Sequence, residues 1–594
     1  MSSFKPSFGA QLVAPDRTRF RLWAPDLETV NVEIEGLAPV PMQRLADGWF
    51  EAEAACGAGA RYRYRIRGDL AVPDPASRAQ AGDVHDASIV WNHDFYQWRR
   101  RDWTGRPWEE TVLYELHVGT LGGFSGVAAQ LPALAELGIT AIELMPVADF
   151  PGARNWGYDG VLPFAPDAAY GSPDELKALV DAAHELDMMV FLDVVYNHFG
   201  PDGNYLGAYA SSFFRNDIQT PWGQAIDFRR PQVRDFFTEN AIYWLSEFRF
   251  DGLRFDAVHA ISEKDWLAEM AQRVRAAMAP GRHVHLVLEN DDNAATLLAP
   301  RRLFDAQWND DMHHALHVML TGESEGYYAG YTGQTAEKLA RGMAEGFIYQ
   351  GDAPLYPGKT PRGEPSAHLP PTAFVLFLQN HDQIGNRAFG ERLATLAQPD
   401  ALRAAIALQL LSPQIPLLFM GEEFGAREPF LYFTSHLTQE LADAVRQGRR
   451  QEFARFSAFS DPARREQIPD PNAEQTFQDS IPRPDPDLAQ PWRDWIKALL
   501  AIRHTHVVPR LANAAAIGSQ VLGKAAVKAR WKMADGKVLM LAANLGDAAV
   551  PVPYDSLADG QGGTLLFSTE GVEDAVARNE LPPHACIAVL EPGA

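Results

Sequence analysis

The sequence predicts a (β/α)8 barrel, a TIM barrel, set between an N-terminal β-sandwich and a C-terminal antiparallel β domain, and three observations predict it. Between about residue 111 and residue 420 stand eight short, almost continuous apolar runs: "TVLYELHV", "ITAIELMP", "MMVFLDVV", "FDGLRFD", "HVHLVLE", "LFDAQWN", "AFVLFLQ" and "IPLLFM". Helical patterns lie between them. Period-two alternation marks the flanks instead, as in "TRFRLWAP" (18–25) and "RYRYRIR" (61–67) before the runs and "AVKARWKM" and "KVLMLAANL" after about residue 510. Parallel strands are covered on both faces and read as solid apolar runs, whereas half-exposed antiparallel strands alternate. Strands alternating with helices over about 300 residues fit a barrel with insertions.

Taken in order, residues 1–105 are expected to form the β-sandwich, with turns such as "LADGWF" between its extended runs. The segment "WRRRDWTGRPW" (98–108) lacks a period and reads as a linker or a packed domain joint. The barrel is expected over 106–509. Within it, "SPDELKALVDAAHELD" (172–187) opens with Ser172 as N-cap, Pro173 in the first helical position and Glu175 completing a capping box. "VAAQLPALAELG" (127–138) stops at Gly138, the usual residue past a helix end. Two stretches exceed a minimal barrel, 203–228 with "TPWGQAIDF" and the Pro- and Gly-rich 351–371; loops of that length are more often functional than idle. Residues 510–594 complete the chain as the C-terminal β domain.

Composition narrows the function. Hydrophobic residues make up 46% and charged residues 22%, as in ordinary globular proteins. The formal net charge of −24 is spread along the chain, so polyanions such as nucleic acid and anionic membrane surfaces would be repelled while a neutral substrate would not. Cys56 and Cys586, the only cysteines, form neither a disulfide framework nor a metal pattern. The start "MSSFKPSFGA" lacks the apolar core of a signal peptide and no window approaches a membrane span, so a cytoplasmic location is expected.

Polar residues at the C-terminal ends of barrel strands point into the mouth where barrel enzymes do their chemistry. Those ends carry Asp193 and His198 after the third run, Arg254 and Asp256 after the fourth, Glu289 after the fifth, and His381 and Asp382 after the seventh. Arg254 and Asp256, two residues apart on a strand, share one face, where a guanidinium can keep a carboxylate ionised. Glu289 ends an apolar strand. Burial there without a dedicated cation would favour its protonated form, as a general acid requires. One carboxylate kept charged and another kept protonated is the division of labour of glycoside hydrolysis.

In order along the chain, "DVVYNH" (193–198), "GLRFDAVH" (252–259), "LVLEN" (286–290) and "FLQNHD" (377–382) resemble the four signature regions of the α-amylase family of glycoside hydrolases. The resemblance covers most of residues 110–500. It implies Asp256 as nucleophile, Glu289 as acid/base and Asp382 as the third carboxylate. It also implies Arg254, His198 and His381 around the sugar in the cleavage subsite, Asp193 as the carboxylate that orients the arginine, and Tyr158 of "NWGYD" as the stacking aromatic. "RLWAP", "LYELHVGT" and "TPWGQAIDF" resemble both glycogen branching enzymes and maltooligosyltrehalose trehalohydrolases. "FLQNHDQIGNR" (377–387), "RGEPSAHLPP" (362–371), "GEEFG" (421–425), "PFLYFTSH" (429–436) and "GRRQEF" (448–453) resemble the trehalohydrolases.

That resemblance implies a retaining hydrolase of maltooligosyltrehalose and a maltooligosyltrehalose synthase as functional partner. Some α-amylases hold calcium, but no separate inserted domain is evident here and no acidic loop resembles a calcium cage, so no metal and no cofactor are expected. Branching or debranching enzymes of the family are the alternative. A barrel that has lost catalysis is disfavoured because all three carboxylates are present. Trp222 is read as a sugar-stacking residue or as packing of its loop. Phe424, Tyr432, Phe433 and His436 are candidates for the trehalose side, and Glu115 and His117 are read as packing partners inside the barrel.

Overall fold

The alternating N-terminal runs pair into two antiparallel sheets. The computed structural model, which describes residues 6–298, 303–352, 361–552, 563–572, 575 and 579–593, places Gly9–Ala14, Arg17–Trp23, Trp49–Ala54 and Gln43–Arg44 in one sheet. Val40–Pro41, Asn31–Ile34, Arg61–Arg67 and Leu70–Val72 form the core of the other. Period two decides the faces: Tyr62, Tyr64 and Ile66 of "RYRYRIR" are buried, while Arg61 and Arg67 reach solvent.

The eight apolar runs become the eight strands of a closed barrel: β1 Leu113–Leu116, β2 Ala141–Leu144, β3 Met189–Val194, β4 Gly252–Phe255, β5 His285–Leu288, β6 Ala306–Trp308, β7 Phe374–Leu376 and β8 Ile415–Phe419. They pair in parallel in sequence order, and Leu113 beside Leu417 closes the ring between β1 and β8. Every residue of these strands is buried, which is why none of them alternates.

The Pro173–Glu185 helix has the predicted capping box: the Glu175 amide donates to Ser172 Oγ (3.3 Å) and the Ser172 amide to Glu175 Oε2 (2.7 Å). The other predicted helix is longer than its pattern, running Gly123–Leu137. Its first turn is anchored from outside by buried Phe124, whose amide donates to the Tyr170 carbonyl (3.0 Å). Gly138 does end it, at φ 106°.

Residues 98–108 form a packed joint and not a free linker. Trp103 Nε1 donates to Asp251 (2.7 Å), Trp108 Nε1 to the Thr372 carbonyl (2.7 Å), and the amides of Arg99 and Arg100 to buried Asp181 (2.9 and 3.1 Å). The 203–228 insertion holds a hairpin, Phe214–Thr220 with Gly223–Ile226, that presents Trp222 at its turn. Of the 351–371 insertion, residues 353–360 lie outside the described residues. The C-terminal sheet orders Ala515–Gly523, Ala526–Lys532, Val538–Asn544, Ala585–Glu591 and Thr564–Ser568, with its third and fourth strands wholly buried. Among the described residues, no helix is long and apolar enough to cross a membrane.

Candidate active site

Closure of the barrel brings the carboxylates predicted from separate strands to one mouth, and Arg254 is their hub. Its position on β4 is in register with Asp193 on β3. From there Nη1 donates to both oxygens of Asp193 (3.0 and 2.8 Å) and to Asp256 Oδ1 (2.7 Å), while Nη2 donates to Glu289 Oε2 (3.0 Å). The guanidinium is 1% exposed and lies over the Trp308 ring, 4.2 Å from its centroid. A buried cation needs partners of this kind, since its desolvation is repaid only by well-placed anions.

Glu289 therefore does have a cation, contrary to the sequence-based expectation that it lacked one. Arg254 could not be assigned to it from spacing, because β5 meets the guanidinium only when the strands are in register. The Glu289 carboxyl also accepts the Ala257 amide (2.6 Å), aimed by a left-handed Ala257 (φ 39°, ψ 47°) directly after Asp256. A non-glycine residue in that region is strained and persists only where its surroundings hold it. Burial still pushes the Glu289 carboxyl well above the usual carboxylate range. Arg254 pulls the other way, but the charges of Asp256, Asp310 and Asp382 reinforce the upward shift. One guanidinium thus joins three carboxyl groups, of which Glu289 is shifted toward its protonated form, an arrangement suited to nucleophile and acid/base chemistry at an anomeric centre.

A second set of contacts orients the wall of the mouth. Tyr158 Oη donates to Asp193 Oδ2 (2.6 Å) and faces His381 Nε2 (2.8 Å), the two rings stacking at 5.1 Å. Below them Glu115, on β1, accepts both the ring Nδ1–H and the backbone amide of His381. Glu115 is inside the barrel as expected, but as the partner of a site residue and not as mere packing. His117 is the packing residue, bonded to the Asn155 carbonyl (2.8 Å) and Tyr170. His198 Nε2 bonds the Tyr158 carbonyl (2.9 Å), and Trp222, 47% exposed, stacks on the His198 ring at 4.7 Å and 11°. Asn197 Nδ2 donates to Asp256 Oδ2 (3.2 Å).

Asp382 stands in the first turn of a short helix, His381–Gly385, capped by Asn380, and accepts from Asn386 Nδ2 (2.7 Å). Near it is an acid the sequence reading missed. Asp310 follows β6, accepts from Gln383 Nε2 (3.1 Å), and is pushed up to about 7 by burial and then by the charges of Asp382 and Asp291. The sixth run, "LFDAQWN", ends one residue short of it. Extending the strand-end rule past that run would have found it.

Phe424 does not join the site. It packs with Ala426 and Ala489 in a satellite cluster against the Ala489–Ile502 helix, with Arg493 over its ring at 5.3 Å, because the turn after β8 directs it outward. Phe433 is core against His117 (5.0 Å) and Phe477. Tyr432 lies half-buried, edge-on to Trp156 (5.2 Å), and His436 is held by its amide against Asn472. Among the described residues, no group of three or more His, Cys, Asp or Glu side chains is arranged to hold a metal ion.

The chain matches the alpha amylase catalytic domain over residues 89–221 and a domain of unknown function, DUF3459, over residues 514–587. It is 45% identical over 470 residues to the malto-oligosyltrehalose trehalohydrolase of Deinococcus radiodurans, covering 78% of this chain and 76% of that protein. It is 35% identical over 588 residues to that of Brevibacterium helvolum, covering 94% and 96%. Its fold superposes with a TM-score of 0.92, at 42% identity and over 99% of this chain and 100% of the other, on the crystal structure of a Salmonella typhimurium protein assigned to the alpha amylases. With the barrel, the flanking β domains and the four signature regions, these likenesses settle kinship: the chain belongs to the malto-oligosyltrehalose trehalohydrolases of the α-amylase family of glycoside hydrolases.

Proposed function

We propose that this enzyme cleaves the α-1,4 bond joining a maltooligosyl chain to a terminal trehalose, with retention, releasing trehalose and a maltooligosaccharide. The observation that carries this reading is the Arg254 fork between Asp256 and Glu289 at the barrel mouth, in a chain whose curated relatives are named for this substrate.

In the first step Asp256 attacks the anomeric carbon as the bond to the trehalose oxygen breaks, and Glu289 passes its proton to that oxygen. A glycosyl ester on Asp256 results. In the second step the Glu289 carboxylate takes a proton from water, whose oxygen attacks the anomeric carbon and frees Asp256. Asp382 supplies negative charge complementary to the oxocarbenium-like transition state, Asp193 orients Arg254, and Arg254, Tyr158, His198 and His381 surround and position the sugar. Trp222, flat against His198 and open to solvent, suits a stacking role at the same mouth.

Production of trehalose-ended chains by a maltooligosyltrehalose synthase would supply the substrate. The two unpaired thiols, Cys56 and Cys586, favour the cytoplasm as its setting. We divide the chain into a sandwich over 1–105, the barrel over 106–509 and a C-terminal β domain over 510–594.

The test is to incubate the protein separately with maltotriosyltrehalose and with maltopentaose, identifying the sugars and following the anomer first formed by proton NMR. Rapid free trehalose, an α-anomeric first product and slow attack on maltopentaose are expected. New α-1,6 branches, or equal cleavage of both substrates, would instead indicate a branching enzyme or a general amylase.

A further inference from the structure

Two segments distant in the chain, "GRRQEF" (448–453) and the "QIGNR" end of 377–387, meet beside Asp382 through one side chain. The first lies within residues 420–488, between β8 and the Ala489–Ile502 helix, which completes the outer ring by packing between the helices Pro399–Leu411 and Gly123–Leu137. A minimal barrel needs no such excursion. Its longest helix, Gln439–Glu452, buries a single residue, and that residue is Arg449, 8% exposed. A surface helix ordinarily buries an apolar stripe, and a guanidinium taken out of water is unfavourable unless its N–H groups find acceptors.

The acceptors are main-chain carbonyls next to Asp382. Arg449 Nη2 donates to those of Gly385 (2.6 Å) and Arg387 (3.0 Å) and Nη1 to Glu452 Oε2 (3.2 Å), while the guanidinium lies over the rings of Phe453 (4.8 Å) and Tyr432 (5.6 Å). Gly385 ends the His381–Gly385 helix, whose final carbonyls have no partner within it, and a cation there satisfies them. The two carbonyls bracket Asn386, which donates its amide to the Asp382 carbonyl (2.9 Å) and its Nδ2 to Asp382 Oδ1 (2.7 Å). The helix is also pressed on Trp156, since a Cβ at Gly385 would stand 2.0 Å from Trp156 Cζ2. Arg387 adds a side-chain tie, donating to both oxygens of Glu323 (2.7 and 2.8 Å). A helix of 5 residues is too short to hold its own shape, so these outside contacts decide where Asp382 stands.

We propose that Arg449 is a positioning residue for Asp382: by gripping the carbonyls on either side of Asn386 it fixes the side chain that holds the Asp382 carboxylate, so that the excursion after β8 braces the third carboxylate of the site. The kinetic consequence rests on the assignment of Asp382 made above. Hydrogen exchange needs no substrate and stands or falls separately.

Arg449→Met keeps the apolar packing of the side chain without a donor, and Arg449→Lys returns a cation able to donate to the carbonyl pair. Hydrogen exchange followed by mass spectrometry should be about tenfold or more faster over residues 383–389 in Arg449→Met than in the native enzyme, with β4 and β5 unchanged. Arg449→Lys should lie nearer the native rate. Kinetics are read on whichever of maltotriosyltrehalose and maltopentaose the native enzyme cleaves faster, so a wrong substrate assignment leaves the comparison intact. There kcat should fall about tenfold or more in Arg449→Met, with KM within about twofold, and recover in part in Arg449→Lys. Because the effect runs through Asn386, Arg449→Met should lower kcat by no more than about twofold in an Asn386→Ala background. Native exchange in Arg449→Met, losses that multiply in the double variant, or Arg449→Met as active as Arg449→Lys would each overturn the proposal. Faster exchange with kcat unchanged would overturn it too, leaving Arg449 a structural anchor. Asn386→Ala leaves the excursion intact and should by itself lower kcat; a fully active Asn386→Ala would refute the route through Asn386 even if Arg449→Met failed to fold.

Discussion

Asp256 and Glu289 touch the same guanidinium, yet burial and the like charges of Asp256, Asp310 and Asp382 raise the Glu289 carboxyl well above the usual range. If Asp256 forms the covalent intermediate, Asp256→Ala should lower kcat at least about a thousandfold, about 4 kcal/mol of barrel-mouth catalysis, while circular dichroism shows the native fold; an active variant would remove Asp256 from that role. The raised Glu289 group should carry the alkaline limb of the rate profile, with activity falling as it deprotonates. Asp310, itself pushed up to about 7, becomes an additional anion near Glu289 only as pH rises through that value. Removing it in Asp310→Asn takes away a charge that raises Glu289, so the alkaline limb of kcat/KM should move to lower pH while rates at acid pH stay comparable. A limb that does not move would separate Asp310 from the acid.

At the scale of the element, β4 shows how one strand serves structure at one end and chemistry at the other. The stretch "DGLRFDAVH" starts with Asp251, at the opposite end of β4 from the site. Fully buried, Asp251 accepts from Trp103 Nε1 (2.7 Å), His184 Nε2 (2.9 Å) and the Val190 amide (3.0 Å), tying the domain joint to the barrel. Burial alone would raise its carboxyl, but His184, the charge of Arg282 and the Val190 amide outweigh it and hold the group low. A carboxylate lowered on folding stabilises the native state above its unfolded value, roughly 3.9, and that contribution disappears as pH falls through the lower folded value. Asp251→Asn should therefore cost about 3–5 kcal/mol at neutral pH and flatten the acid side of the stability curve. Urea midpoints measured against pH check both. Arg254 and Asp256 serve the mouth, whereas His259 braces the next loop, its Nδ1 accepting the Asp291 amide (3.3 Å).

Over the whole molecule, the sandwich is built into the barrel. Phe8 packs on Trp49 (4.8 Å) of its own domain and on Phe236 (5.2 Å) of the barrel's Pro231–Glu247 helix. Arg78 lies between the rings of Phe164 and Tyr243 at 4.4 and 4.6 Å. On the other side, buried Arg503 donates to the carbonyls of Leu410, Ser412 and Gln414 beside β8. Phe8→Ala should cost about 3–5 kcal/mol and lower the melting of sandwich and barrel together in calorimetry. Two separated transitions, with the barrel unaffected, would show that the joint does not couple them.

The sequence by itself determined the barrel, the order of its strands, the capping box at Ser172, and the presence of Asp256, Glu289 and Asp382 at strand ends, because burial on both faces and helix capping leave their marks within a few residues. Tertiary structure alone decided the pairings. Glu115 and His381 are 266 positions apart and meet only because β1 closes the ring against β8. Arg254 reaches Glu289 through strand register, Asp310 joins the acids through the neighbouring helix start, and Phe424 leaves the mouth because the turn after β8 sends it to a satellite cluster. Hydrophobic burial is legible as a local pattern, whereas a charge takes its state from whatever the closed barrel puts beside it.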